Sequence, residues 1–214
     1  MTTGLVIAVD GPAASGKGTV ATRLGQVYGL PVLDTGLLYR AVGVAAARAG
    51  VDPDDSTAAA AVARGLNLMA LDDPAFRTRE AGELASRVAV HPGVRAALNA
   101  AQVDFARRPG GAVLDGRDIG TVIAPWAPAK LFVTARPEVR AERRWRQLTA
   151  QGEAVPLEDV LEDIRRRDAR DGGRADAPLA RAADAVLLDT SEMTIDLAAD
   201  AARRIVEAAR AGRT

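Results

Sequence analysis

Residues 5–19 read LVIAVDGPAASGKGT, a short apolar run followed directly by a glycine-rich turn. The run at residues 5–9 has no polar member, as expected of a strand that is covered on both faces of a parallel sheet. The turn matches the pattern G-x-x-x-x-G-K, in which glycines let successive backbone N–H groups point at phosphate oxygens. The stretch therefore predicts a strand, a phosphate-binding loop and a helix at residues 17–28, whose N-terminus adds its positive dipole end.

The residue types of this loop indicate a nucleoside triphosphate and Mg²⁺ as ligands. Lys17 would place a positive charge at the β- and γ-phosphates. Gly18, and not the usual Ser or Thr, follows the lysine. The hydroxyl ligand of Mg²⁺ is then either Thr19, shifted by one position, or partly replaced by water. The residues predicted to bind the nucleotide are Gly11, Pro12, Ala13, Ala14, Ser15, Gly16, Lys17, Gly18 and Thr19.

The rest of the chain alternates short apolar runs with helical patterns. Further strands are predicted at residues 31–34, 112–115, 131–134 and 185–189, and further helices at residues 36–49, 137–149, 157–170 and 196–209. Two stretches, residues 56–90 and 150–178, interrupt this alternation. We interpret them as inserts that close over substrates, with ordinary surface connections as the alternative. The pattern predicts an α/β protein with a five-stranded parallel sheet and helices on both faces.

The composition of the 214-residue chain excludes several classes of protein. The absence of cysteine excludes a disulfide scaffold, a thiolate zinc site and a cysteine nucleophile, and a single histidine excludes multi-histidine metal sites. The 28 basic residues balance the 28 acidic ones, so we expect no binding of nucleic acid. No apolar run approaches the ~18 residues of a membrane span, so we expect a cytoplasmic protein that binds no membrane.

A kinase needs a second anionic site that faces the γ-phosphate of the donor. The second predicted strand ends at Asp34, with Arg40 further along, and the third ends at Asp115, with Arg117 shortly after it. Because the carboxyl ends of parallel strands meet at one edge of a sheet, we expect these side chains to lie near the phosphate loop. Thr35 is predicted as the N-cap of the helix that carries Arg40.

Five segments of the sequence resemble the bacterial cytidylate (CMP) kinases, which are nucleoside monophosphate kinases of the P-loop class. They are DGPAASGKGT at residues 10–19, DTGLLYR at 34–40, SRVAVHPGVR at 86–95, DGRDIGT at 115–121 and RDARDGGR at 167–174. The related adenylate kinases carry Asp-Gly-Phe-Pro-Arg where this chain has DGRDIGT. The resemblance runs nearly end to end. It implies a single P-loop kinase domain at 1–214, with a monophosphate-binding insert at 56–95, shorter than in other members, and a lid at 148–175.

The resemblance also implies roles for individual residues. The residues implied at the acceptor phosphate are Thr35, Arg40 and Arg117. Those implied at the cytosine ring are Ser86, Arg95 and Asp118. Those implied at the ribose and the adjoining nucleotide site are Arg167, Asp171 and Arg174. Arg140 and Arg144 match arginines on the helix that leads to the lid, so the implied catalytic set is Lys17, Arg40, Arg117, Arg140 and Arg144.

The activity implied by the resemblance is the ATP- and Mg²⁺-dependent phosphorylation of CMP, and of dCMP, to the diphosphate. We expect a monomer whose partners are these nucleotides. No general base is required, since the acceptor is already a phosphate anion and catalysis consists of positioning and charge neutralisation. Two alternatives stay open: another small-molecule kinase of this fold, acting on AMP or UMP, and a non-enzymatic P-loop protein that binds ATP.

Overall fold

Five parallel strands form the centre of the structure, a computed structural model that describes residues 4–67 and 71–212. The strands are β1 (Leu5–Asp10), β2 (Val32–Asp34), β3 (Gly111–Gly116), β4 (Ala129–Thr134) and β5 (Val186–Asp189). Their order across the sheet is β2-β3-β1-β4-β5, and all neighbouring strands pair in parallel. This confirms the predicted α/β sheet, and the predicted strand ends agree with the observed ones to within two residues.

Helices surround this sheet. Those found in the described residues are α1 (Lys17–Tyr28), α2 (Thr35–Arg48), α3 (Ser56–Gly65), α4 (Arg79–Val88), α5 (Pro92–Ala106), α6 (Pro137–Ala150), α7 (Leu157–Gly172) and α8 (Ile195–Ala211). A short 3₁₀ turn at Pro74–Arg77 and a π-helical turn at Ile119–Ile123 complete the elements. None of the helices within residues 4–67 and 71–212 is long and apolar enough to cross a bilayer.

The central strand β1 is buried on both faces, as its uninterrupted apolar sequence predicts. Ile7 and Val9 point to the layer formed by α1 and α8, where Val206 is fully buried. Val6 and Ala8 point to the opposite layer, which contains the end of α5 and the π-helical turn. Alternate side chains of a strand point to opposite faces, so both layers of core depend on this one strand.

The predicted first insert, residues 56–95, contains α3, the 3₁₀ turn, α4 and the start of α5. Its alanine-rich run is α3 and its polar helix is α4, while part of its apolar stretch, residues 68–70, lies outside the described residues. The sequence prediction did not include α5, although a proline at the first turn is a typical helix start. The predicted lid, residues 148–175, contains the end of α6 and all of α7.

The carboxyl ends of β1, β2 and β3 lie side by side, as predicted. Asp34 pairs in register with Asp115, and Asp10 pairs with Gly116. The prediction of Thr35 as the N-cap of α2 was wrong. Asp34 is the cap: its Oδ1 accepts a hydrogen bond from Gly36 N at 2.9 Å, and the Thr35 hydroxyl donates instead to the carbonyl of Asp115 at 2.8 Å.

Close packing of α2 against α4 supports a test of the fold. A Cβ atom on Gly43 would lie 2.7 Å from Leu84 Cβ and 2.9 Å from the Leu84 carbonyl carbon. Gly43→Ala should therefore destabilise the protein by about 1–2 kcal/mol, because overpacking costs more than the roughly 1 kcal/mol gained in helix propensity. Gly65→Ala in α3 should be neutral or stabilising, because the new methyl meets no heavy atom within 4 Å from elsewhere in the described residues. Urea unfolding of both variants measures these changes in the free energy of unfolding. A Gly43→Ala variant that is more stable than the native protein would contradict the close packing of α2 against α4.

Candidate active site

The phosphate loop packs closely against strand β4. Gly11 has φ +153°, and a Cβ atom there would lie 2.0 Å from the carbonyl oxygen of Val133. Only glycine fits so close an approach of two backbones. Gly16, at φ +90°, is the N-cap of α1, and no side chain caps the first N–H groups of that helix. These N–H groups and the positive end of the helix dipole suit a phosphate group.

Lys17 and Asp115 form an ion pair at the base of this loop. The Lys17 Nζ atom lies 3.3 Å from Asp115 Oδ1. Burial lowers the pKa of Lys17, with Arg117 adding to the effect, and burial raises the pKa of Asp115 against the opposing charge of Lys17. A bound triphosphate would compete with Asp115 for the lysine. Lys17 is therefore not simply exposed to solvent, and its removal would leave a buried carboxylate without its partner.

The donors beside the loop fit Mg²⁺ in its usual mode of binding. Mg²⁺ takes hard oxygen ligands, keeps several waters and is generally held by one or two carboxylates together with substrate phosphates. Asp115 provides such a carboxylate, and its Oδ2 lies only 3.0 Å from where a Cβ atom on Gly18 would be. A side chain larger than glycine at position 18 would crowd this carboxylate. Thr19 is exposed on the first turn of α1, and its role as a metal ligand stays a prediction.

A cavity of about 260 Å³ beside the loop is lined by five arginines: Arg40, Arg77, Arg79, Arg144 and Arg167. The Arg40 Nη1 atom donates to the carbonyls of Phe76 and Thr78, each at 3.1 Å. Two of the guanidinium groups meet at Gly82, where a Cβ atom would lie 3.3 Å from Arg40 Nη2 and 3.5 Å from Arg167 Nη1. Like charges are thus held together at one point of the cavity.

The positive charge of this cavity is only partly neutralised. Burial lowers the pKa of Arg40 to about 10, and the charge of Arg144 adds to this effect. Burial likewise lowers the pKa of Arg167 to about 10, with the charge of Arg117 next in importance. Both side chains remain charged at neutral pH. Such a group of guanidinium donors is suited to a phosphate, which accepts several charge-assisted hydrogen bonds at once.

Arg95 and Asp118, both implied at the cytosine ring, are in direct contact. They are 1% and 5% exposed, and the Arg95 Nη2 atom donates to Asp118 Oδ2. Burial raises the pKa of Asp118, and the charge of Arg95 opposes this rise. Ser86 lies on α4, buried, and its hydroxyl has no hydrogen-bond partner in the described residues. A buried hydroxyl, a guanidinium and a carboxylate are the donors and acceptor that a polar base edge requires.

Asp171, implied at the ribose, connects α7 to the end of β3. Its Oδ2 accepts a hydrogen bond from Arg117 Nε at 3.0 Å and lies 3.9 Å from Arg167 Nε. Burial acts to raise the pKa of Asp171, but the charges of Arg117 and Arg167 outweigh it and hold the pKa below its usual value. The sequence spacing suggests Arg167 as the partner, and the structure shows Arg117 to be closer. Arg174 lies beyond the end of α7 and donates to the Ala177 carbonyl at 2.9 Å.

The two predicted lid arginines differ in their surroundings. Arg140 is buried and committed to structural contacts: it pairs with Asp168 at 2.5 Å and donates to the carbonyls of Ala135 and Ala13. Arg144 lines the cavity and donates to Gln147 at 2.8 Å, so it is the better placed of the two to meet a substrate.

Sequence reasoning gave no role to two further residues of the site. Arg143 donates to the side chain and carbonyl of Thr190, at 2.9 and 2.6 Å, and approaches the Ser15 carbonyl of the phosphate loop at 3.4 Å. Asp10, directly before the loop, accepts backbone hydrogen bonds from Ile119 at 2.8 Å and Gly120 at 2.7 Å. The only signal for Asp10 is its position at the end of an otherwise apolar strand.

The stability of the protein should depend on the ionisation of Asp10. Burial raises the pKa of Asp10 from 3.8 to about 7, and the charges of Asp118 and Asp115 add to the rise. Because the pKa of Asp10 is higher in the folded state than its ordinary value of 3.8, this carboxyl group contributes fully to the free energy of unfolding only below pH 3.8. The contribution is lost as the pH rises through 7. Relative to Asp10→Asn, the native free energy of unfolding should fall by about 1 kcal/mol between pH 6 and pH 8. Urea unfolding at both pH values checks this, and parallel pH profiles would contradict it.

Comparison with known proteins places the chain in a family. The sequence model described as cytidylate kinase matches residues 7–209. A cytidylate kinase of Caulobacter vibrioides is 72% identical over 208 residues, which is 97% of this chain and 98% of the relative. One from Xanthobacter autotrophicus is 63% identical over 209 residues, 98% of this chain and 100% of the relative.

A solved structure supports the fold alone. It is that of an uncharacterized protein from Eubacterium ventriosum, which superposes with a TM-score of 0.56 at 15% identity and covers 95% of this chain and 98% of its own. The family is therefore shown by sequence, over almost the whole of both chains, and the parallel sheet with its phosphate loop agrees with it. The chain belongs to the cytidylate kinase family.

Proposed function

We propose that this protein transfers the γ-phosphoryl group of ATP to CMP, and to dCMP, in one in-line step. The observation that carries the proposal is the pair of guanidinium groups, Arg40 and Arg167, that meet at Gly82 beside the phosphate loop. A second anion placed there would face the loop. The names of the relatives, cytidylate kinases, support CMP as that anion.

The donor and acceptor phosphates would be held by different groups. The backbone N–H groups of the loop and Lys17 bind the β- and γ-phosphates, while Arg40 and Arg117 bind the acceptor phosphate. Arg167 was expected at the ribose, but its guanidinium group lies beside that of Arg40 at Gly82, so we extend its role to the acceptor phosphate. Mg²⁺, held by the donor phosphates and by Asp115, would neutralise charge as the phosphoryl group moves. Arg144, at the wall of the cavity, supplies a further positive charge to the transferred group. No general base is used, since the attacking group is a phosphate oxygen.

The acceptor base would be recognised by the buried pair of Arg95 and Asp118 together with Ser86. Cytosine has an N4 amino group beside the acceptors N3 and O2, so Asp118 accepts from N4 while Arg95 and Ser86 donate to the ring acceptors. Uracil presents a carbonyl group where cytosine has its amino group. UMP would therefore leave the buried Asp118 carboxylate facing an acceptor, which is the mismatch that polar sites reject most strongly.

The sugar would meet the carboxylate of Asp171. This carboxylate is held by Arg117 with its pKa below the usual value, and it is 3% exposed, which favours a role at the site over a place on a solvated helix face. A carboxylate that accepts from the 3′-hydroxyl admits both CMP and dCMP, since both nucleotides have this group. Asp171 thus joins the sugar to the arginine that holds the acceptor phosphate.

Residues 56–95 and 148–175 would act as the monophosphate-binding insert and the lid. Helix α4 of the insert and helix α7 of the lid are joined by two ion pairs, Arg79 with Asp163 at 2.5 Å and Glu83 with Arg170 at 2.8 Å. These pairs bring the two segments together over the arginine-lined cavity. Such closure excludes water, which would otherwise accept the phosphoryl group of ATP.

A panel of acceptors tests the proposed function. ADP release from ATP and Mg²⁺, measured by a coupled assay, should be rapid with CMP and dCMP and slower by roughly 100-fold or more in kcat/KM with UMP and AMP. Equal use of AMP and CMP would favour an adenylate-kinase-like protein. ATP binding without release of ADP on any acceptor would favour the non-enzymatic alternative.

The variant Arg167→Met tests whether Arg167 binds the substrate or stabilises the fold. Its Nε atom has no hydrogen-bond partner in the described residues, and Arg117 and Arg40 repel its charge. Removing the charge should leave the melting temperature unchanged or raise it, while kcat/KM for CMP falls by about 100-fold or more. Arg165→Met on the same helix, where Arg165 pairs with Glu138 on the surface, is the matched control and should retain activity. A destabilised Arg167→Met with normal kinetics would contradict the assignment.

A further inference from the structure

The segment that follows β3 begins with an unusual arrangement at Asp118. This residue is the N-cap of the five-residue π-helical turn Ile119–Ile123, with φ −143° and ψ 22°. An aspartate at an N-cap ordinarily turns its carboxylate back to accept hydrogen bonds from the first N–H groups of its own helix. Asp118 makes no such bond, and its carboxylate points instead to Arg95.

A different carboxylate takes the capping role. Asp10, the last residue of β1, accepts from Ile119 N with its Oδ1 at 2.8 Å and from Gly120 N with its Oδ2 at 2.7 Å. Asp10 is 5% exposed, so water does not replace these bonds easily. The first N–H groups of the turn are thus satisfied from the neighbouring strand and not by the residue that begins the turn.

The fit between Asp10 and the turn leaves no spare room. A Cβ atom on Gly120 would lie 3.3 Å from Asp10 Oδ2 and 3.2 Å from Lys130 Cδ. Any larger residue at position 120 would push against the carboxylate of Asp10. The contact therefore depends on both partners, an aspartate before the phosphate loop and a glycine in the turn.

We propose that Asp10 is a positioning residue for the acceptor base, which caps the turn in place of Asp118 and so leaves the Asp118 carboxylate for the cytosine amino group. The inference rests on the proposed function. Without Asp10, the Asp118 side chain has an alternative set of partners one residue away, the orphaned N–H groups of its own turn. The Asp118 carboxylate would then turn away from Arg95 and from the base.

A positioning role predicts a specific kinetic signature. Asp10→Asn replaces one of the two accepting oxygens with an N–H₂ group that faces a backbone N–H donor. At pH 8, KM for CMP should rise by about 10- to 100-fold, and the preference for CMP over UMP should fall. KM for ATP should change by less than about twofold, because the Asp10 side chain bonds to the turn and not to the loop.

A double-mutant cycle tests whether Asp10 acts through Asp118. In an Asp118→Asn background, which no longer has the carboxylate to position, adding Asp10→Asn should change KM for CMP by less than about twofold. Asp55→Asn is the matched control. Asp55 also accepts two backbone N–H bonds, from Thr57 and Ala58, but it caps an exposed helix start, so its substitution should leave all the kinetic constants unchanged.

Several outcomes would overturn the inference. A folded Asp10→Asn protein with native KM and native preference for CMP would do so. The inference would also fail if Asp10→Asn raised KM for CMP by the same factor in the Asp118→Asn background as in the native protein. If Asp10→Asn does not fold, Gly120→Ala disturbs the same contact from the other side and must show the same rise in KM for CMP. A native protein inactive on CMP would overturn the proposed function itself, whereas an active one with an unaffected Asp10→Asn variant would overturn only the role of Asp10.

Discussion

The parallel pairing of β1 with β3 is the constraint on which the site depends. Its register sets Val9 beside Asp115 and Asp10 beside Gly116, so the chain leaves both strands from adjacent points at one edge. The phosphate loop, the Lys17–Asp115 pair and the bonds from Asp10 to the following turn all start from those points. A slip of one residue would turn Asp115 to the opposite face of the sheet and remove it from the loop.

The arginines around this edge differ in how closely carboxylates match their charge. Arg140 pairs with Asp168 and Arg117 pairs with Asp171, and these pairs join α7 to α6 and to the residue that follows β3. Arg40 has no carboxylate within ion-pair distance among the described residues, and Arg167 has one only at 3.9 Å. Partly buried charges without a close counter-charge are costly to a fold. Their presence beside the phosphate loop agrees with the proposal that an anionic ligand completes this site.

Local sequence patterns predicted the parts of the molecule that depend on neighbouring residues. The apolar run, the glycine spacing of the loop and the polar strand ends are of this kind, and the sheet follows from them. What the sequence could not give depends on tertiary packing. Arg117 is the closer partner of Asp171, and Arg140 is turned to Asp168, because of where α7 lies relative to α6 and to the residue that follows β3. Helix α5 was missed because its start lies inside a stretch interpreted as an insert.

The two ion pairs between α4 and α7 have opposite polarity, so together they specify how the two helices are aligned. Arg79 on α4 meets an acid on α7, and four residues later Glu83 meets a base. Sliding α7 by one turn would bring Arg167 towards Arg79 in place of Asp163, so attraction would become repulsion. Each partly exposed pair contributes less than about 1 kcal/mol, and salt screens it further. The two pairs therefore select one alignment of the helices while adding little to the free energy that holds the helices together.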